Sequence, residues 1–171
     1  LLATLDRRIE CFHELGCRIA DHGLSYMPFE QPIAIATIDH VFKSVLDGKD
    51  ADVSNEIMEG FTFHILSNLA KKYDEKDWAQ QFHLGAFRNT NTRQRNLLGV
   101  DTGFDTIGDY QQGERLWKFL DHLQKTDQLT RTIIYNLNPS DSALFASMIG
   151  NFQAEGVKGK IQFGSAWWFL D

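Results

Sequence analysis

Phe82-His-Leu-Gly-Ala-Phe-Arg-Asn-Thr-Asn-Thr-Arg93 begins as a strand and ends as a polar, donor-rich loop, with the change at Gly85. On the strand side Trp78, Phe82 and Leu84 are apolar. On the loop side Arg88, Asn89, Asn91 and Arg93 can all donate hydrogen bonds. A guanidinium is a rigid fork matched to a carboxylate or phosphate. His83, just upstream, is of the type that carries protons or binds metals near neutral pH. Parallel α/β proteins build their sites from such clusters at the C-terminal ends of strands. The competing reading of the same residues is a solvated βα loop with an incidental histidine.

Upstream, Leu2, Leu5, Ile9, Phe12 and Leu15 recur three or four apart among Asp6, Arg7, Arg8 and Glu10, which predicts an amphipathic helix over 1–15 that stops at Gly16. Cys17 to Ala20 reads as a short buried strand, with Asp21-His22-Gly23 as a polar turn beyond its end. Pro28 and Pro32 mark an irregular loop. Helices are expected over 37–47 and 52–73, the second carrying Ile57, Phe61, His64, Ile65 and Leu69 as one stripe. His64 reads there as a packed side chain, because no second ligand accompanies it.

Downstream of the opening stretch, 94–110 reads as a long irregular connection, the kind of segment that carries function in a compact domain. Its acidic residues lack the order of a calcium loop. A helix over 111–124 follows, with Leu116, Trp117, Leu120 and Leu123 inward. Thr132-Ile-Ile-Tyr-Asn-Leu137 is almost continuously apolar, as a buried parallel strand is. A helix over 140–152 and a strand over 160–164 complete the pattern, with Trp167 and Trp168 beyond it. Strands alternating with helices require parallel strands and right-handed crossovers. Four such strands fit a small open sheet or half of an eight-stranded barrel, and a whole barrel takes ~250 residues. Polar residues at all four strand ends favour one shared catalytic rim. The fold class read from the chain is therefore α/β, about four parallel strands with helices in a single domain over 1–171, with the open sheet and the half barrel both still open.

The totals narrow the function. The 171 residues are 43% hydrophobic and 23% charged, the balance of a soluble globular domain. A net charge of −6 argues against nucleic acid as a partner, while leaving small anionic substrates open to local arginines. Cys11 and Cys17 are too few for a disulfide framework, so a reduced, cytoplasmic setting is expected. No apolar run approaches the ~20 residues that span a bilayer, so no membrane partner is expected. The chain has no initiator Met and ends on Ala166-Trp-Trp-Phe-Leu-Asp171, which reads as a fragment of something larger.

Several long motifs then occur together. Glu10-Cys-Phe-His-Glu-Leu-Gly-Cys-Arg-Ile-Ala-Asp-His-Gly-Leu24, His83-Leu-Gly-Ala-Phe-Arg-Asn-Thr-Asn-Thr-Arg93, Asp101-Thr-Gly-Phe-Asp-Thr-Ile-Gly-Asp109, Asn136-Leu-Asn-Pro139, Met148-Ile-Gly-Asn-Phe-Gln153 and Gly159-Lys-Ile-Gln-Phe-Gly-Ser-Ala-Trp-Trp-Phe169 resemble uronate isomerase over essentially the whole chain. The resemblance implies an amidohydrolase-type (β/α)8 barrel of bacterial hexuronate breakdown. It implies interconversion of D-glucuronate with D-fructuronate and of D-galacturonate with D-tagaturonate. It also implies a divalent metal, usually zinc, held by a His-x-His pair after the first barrel strand and an Asp after the last.

Neither ligand element occurs here: the histidines are His13, His22, His40, His64, His83 and His122, and Asp171 does not match the last-strand Asp. The resemblance thus makes the chain a partial (β/α)8 TIM barrel, about four parallel strands similar to barrel strands 4–7, with the metal ligands outside it and a metal not expected on the fragment, His83 being the one possible ligand. Carried over by motif, His83 and Arg88 are the catalytic candidates. His22, Asn89, Asn91, Arg93, Asp101 and Trp167 are candidate substrate-lining residues. Trp168 is read as packing.

Two other readings compete: a related metal-dependent hydrolase of the same barrel type, which the Arg-Asn-x-Asn-x-Arg loop argues against, and a non-catalytic module. An incomplete barrel exposes sheet edges, so the fragment is expected to be inactive alone and to self-associate or form a homo-oligomer.

Overall fold

The computed structural model describes residues 1–164. In chain order the elements are α1 (Leu2–Glu14), β1 (Ile19–Leu24), α2 (Ile35–Leu46), α3 (Asn55–Glu75), β2 (Ala79–Leu84), β3 (Ala86–Phe87), α4 (Thr92–Leu98), β4 (Thr106–Ile107), α5 (Gly113–Gln124), β5 (Thr132–Asn136), α6 (Ser142–Ile149) and β6 (Ile161–Phe163). β1, β2, β5 and β6 form one parallel sheet in that spatial order. A short antiparallel ribbon pairs β3 with β4.

The helices cover one face of the sheet. Phe82 and Leu84 of β2, Ile134 of β5 and Ile161 of β6 are buried in a single core with Phe63 and Leu66 of α3, Leu116, Phe119 and Leu120 of α5, and Phe145 of α6. Phe119 meets both Phe63 and Phe82 edge-on, with centroids 5.8 and 5.6 Å apart. Burying side chains of this size contributes about 1.5–3 kcal/mol each, which makes this layer the main source of stability. Strands in sequential order with their helices on one side make a singly wound sheet that curves as a barrel wall does. A doubly wound sheet would reverse its strand order and carry helices on both faces. The arrangement is half of a (β/α)8 barrel.

Trp117, expected inward on α5, is 42% exposed, and Phe119 takes the inward place. Two expectations of secondary structure also change. Residues 94–110 are not an irregular connection throughout. Asn91 caps α4, its Oδ1 accepting from the Gln94 amide at 3.1 Å, and Gln, Arg and Leu are good helix formers. Thr106 and Ile107 then pair back onto Ala86 and Phe87. Second, β1 does not end at Ala20. It stays in register with β2 from Ile19–Ala79 to Leu24–Leu84, so Asp21, His22 and Gly23 lie inside a strand. Main-chain pairing to β2 outweighs their weak strand propensity.

Candidate functional site

The sheet's other face is concave, and alternation along each strand decides what reaches it. Because Phe82 and Leu84 point to the helices, Gln81 and His83 point the opposite way. In register beside them lie Asp21 and Gly23 of β1 and Ile133 and Tyr135 of β5. Gln162 continues the lower row, next to Ile133. Gly164 continues the upper row beyond β6, its amide donating to Ile134 O at 2.9 Å. The upper row, nearest the C-terminal rim, thus reads Gly23, His83, Tyr135, Gly164.

His83 is held from two sides. Its ring stacks on Tyr135, centroids 4.3 Å apart and planes 5° from parallel. Its Nδ1 lies 2.8 Å from Asp21 Oδ1. Tyr135 Oη donates to Gln81 Oε1 at 2.7 Å. Gly164 has no room for a side chain: an added Cβ would sit 2.5 Å from Tyr135 Cδ1.

Arg88 enters from above. Gly85 turns the chain out of β2 with a φ of 113°, a left-handed conformation that favours glycine. The β3–β4 ribbon then places Arg88 and Asp105, its flanking residues, side by side. Arg88 Nη1 donates to Asp105 Oδ2 at 2.5 Å, and the Asn89 amide donates to Asp105 Oδ1 at 2.8 Å. Burial raises the Asp105 carboxyl, but the Asn89 amide and the Arg88 charge outweigh it and hold the group below the usual carboxylate range. A Cβ on Gly23 would lie 3.7 Å from Arg88 Nη2, so the guanidinium sits over the row that contains His83.

The remaining candidates separate. Asn89, with φ 54°, accepts from the Asp101 amide at 3.1 Å, and Asp101 has φ 57°; both shape the loop that carries Arg88. Asn91 serves α4 as its cap, and Arg93 is exposed on that helix. Trp167 lies outside the described residues. His22 is on the wrong face for a shared rim, which corrects its placement in a loop. Its ring stacks on Tyr73 and Phe82 among the helices, with Nε2 3.3 Å from Tyr73 Oη. Burial lowers its pKa against the opposing charge of Asp21, and burial pushes Tyr73 up to about 12. Both rings are therefore neutral near pH 7.

The sequence pattern placed Asp21 only in a polar turn at a strand end and pointed to no role for Gln81 or Tyr135. Their signal was the alternation of polar residues in Gln81-Phe82-His83, and one aromatic hydroxyl in an otherwise aliphatic strand. Among the described residues, no group of three or more His, Cys, Asp or Glu side chains could hold a metal ion. His83 and Asp21 are only two donors and do not amount to a metal cage. No described helix is long and apolar enough to cross a membrane.

A singly wound half-barrel, with an imidazole and a guanidinium on one rim, defines the chain as part of a (β/α)8 barrel. The family model for glucuronate isomerase matches residues 1–171, and the chain belongs to that family. A uronate isomerase from Flavobacterium johnsoniae is 47% identical over 171 residues, covering 100% of this chain and 36% of its own. One from Caldanaerobacter subterraneus is 44% identical over 170 residues, covering 99% and 36%. The chain thus spans about a third of the length of the curated relatives it matches.

Among solved structures, uronate isomerase from Thermotoga maritima superposes with a TM-score of 0.84 at 23% identity, over 99% of this chain and 35% of that one. Glucuronate isomerase from Caulobacter crescentus gives 0.79 at 25%, over 98% and 33%. These superpositions share the half-barrel wall described above.

Proposed function

We propose that this chain is the half-barrel of a uronate isomerase that interconverts D-glucuronate with D-fructuronate and D-galacturonate with D-tagaturonate. The observation that carries the reading is 47% identity to a uronate isomerase across all 171 residues, combined with His83 and Arg88 meeting at one rim. An aldose–ketose isomerisation moves a proton from C2 to C1 through a cis-enediol. It needs a group to carry that proton and a cation to bind the developing oxyanion. It also needs an anchor for the carboxylate at the far end of the sugar acid, and a guanidinium suits that task.

Arg88, aimed by Asp105, anchors or polarises the sugar acid. His83, fixed by Tyr135 and Asp21, supports the reacting hydroxyls. We place the principal base and the ligands of a divalent metal such as zinc in the rest of the full-length protein, because the donors described here do not form a cage. The 171-residue chain alone is inactive on this reading. Relatives of the same name in several bacteria, two free cysteines and the absence of a described membrane-crossing helix support a bacterial, cytoplasmic enzyme of hexuronate breakdown.

The test is conversion of glucuronate to fructuronate by the full-length protein and its Arg88→Met variant. Losing a charged anchoring hydrogen bond costs about 3 kcal/mol, so kcat/KM should fall about 100-fold or more. Undiminished turnover by the variant would remove Arg88 from the site.

A further inference from the structure

We propose that Asp21 is a positioning residue for His83, keeping the imidazole in one plane with a proton on Nδ1. The chemical consequence rests on the isomerase reading above, whereas the placement of the proton rests on geometry alone. Asp21 lies on the concave face one layer below the rim, two residues before Gly23, which is the residue in register with His83. Its Oδ1 reaches up to Nδ1 at 2.8 Å. An ionised carboxylate only accepts hydrogen bonds, so Nδ1 must be the donor in either charge state of the ring. In the neutral ring the lone pair is then on Nε2, the nitrogen on the far side of the ring from Asp21.

The ring plane is fixed independently. Tyr135 stacks against it 5° from parallel and is itself anchored by its hydroxyl to Gln81. The close approach of Gly164 limits the room Tyr135 has to move. Stacking alone would leave the ring free to flip by half a turn and exchange its nitrogens. The carboxylate removes that freedom. An acceptor behind a functional histidine fixes its tautomer and raises its basicity, and losing such a partner typically costs about 10- to 100-fold in activity. Asp21 is also outside the hydrophobic core between sheet and helices.

The experiment is long-range 1H–15N correlation of histidine rings in the full-length protein, with His83 assigned through a His83→Gln variant. It is run beside steady-state kinetics on glucuronate. In the wild type His83 should show a protonated Nδ1. Asp21→Ala should move its neutral ring toward the Nε2–H form, and kcat should fall about 10- to 100-fold with KM changed less than about threefold. Asp21→Asn keeps the volume but loses the charge, so it provides the same kinetic test should the alanine variant fold poorly; about a tenfold lower kcat is expected. A wild-type His83 protonated only at Nε2 overturns the proposal. So does a tautomer unmoved by Asp21→Ala, or a kcat within about twofold of wild type in both variants. If the wild-type protein turns over no uronate, the isomerase reading fails, and the ring spectra still decide the role of Asp21.

Discussion

Asp105→Asn tests whether one carboxylate holds the Arg88 loop in place. The substitution keeps the shape, and the amide oxygen can still accept from the Asn89 N–H. The other end then turns an NH2 toward Arg88 Nη1, setting donor against donor where a charge-assisted bond of 2.5 Å stood. Hydrogen bonds to charged groups contribute about 1.5–3 kcal/mol. Arg88 is 42% exposed, so water replaces part of what is lost and the lower end applies. About 1.5 kcal/mol corresponds to a roughly tenfold larger opening equilibrium for the loop.

Native-state hydrogen exchange on the full-length protein reads this directly. The Thr90 amide, bonded to Phe104 O at 2.8 Å, should exchange about tenfold faster, following the opening equilibrium. Gly108, bonded to Gly85 O at the base of the ribbon, should be nearly unchanged.

The acid dependence has a definite sign. The folded pKa of Asp105 is below its unfolded value of about 3.9, so its contribution is complete above that value and disappears as pH falls through the lower folded pKa. Thr90 protection relative to Gly108 should therefore decline below about pH 4 in the wild type and not in the variant. A Thr90 rate within twofold of wild type would refute the idea that Asp105 holds the loop.

Two further outcomes are expected. Gly164→Ala drives a methyl group against the Tyr135 ring, so it should cost about 1–3 kcal/mol, lower the urea midpoint and weaken the ring-current shift of His83; unchanged values would show that the stack does not need Gly164. The excised 171-residue chain should self-associate: β1 and β6 each pair on one side only among the described residues, and Phe12 of α1 and Ile19 at the start of β1 are 46% and 45% exposed. A stable monomer in sedimentation velocity at micromolar concentration would count against it.

The sequence by itself determined the βα alternation, the break at Gly85, the strands around Phe82 and Ile134, and the motifs that mark the family. These are local signals: the period of apolar residues, the turn residues, and the long runs beginning at His83 and Gly159. Tertiary structure decided what reaches the concave face. His22 and Asp21 are neighbours in sequence and point to opposite sides of β1, because side chains alternate along a strand and a one-residue difference exchanges core for rim. The stretch Asp21-His22-Gly23 looks like a turn until its pairing with β2 is known. α4 and the β3–β4 ribbon were likewise hidden, since a two-residue strand exists only through its partner some twenty residues away. The pairing of Asp21 with His83 spans 62 residues. No local pattern encodes it, because the register between β1 and β2 is fixed by packing against the helices rather than by either strand alone.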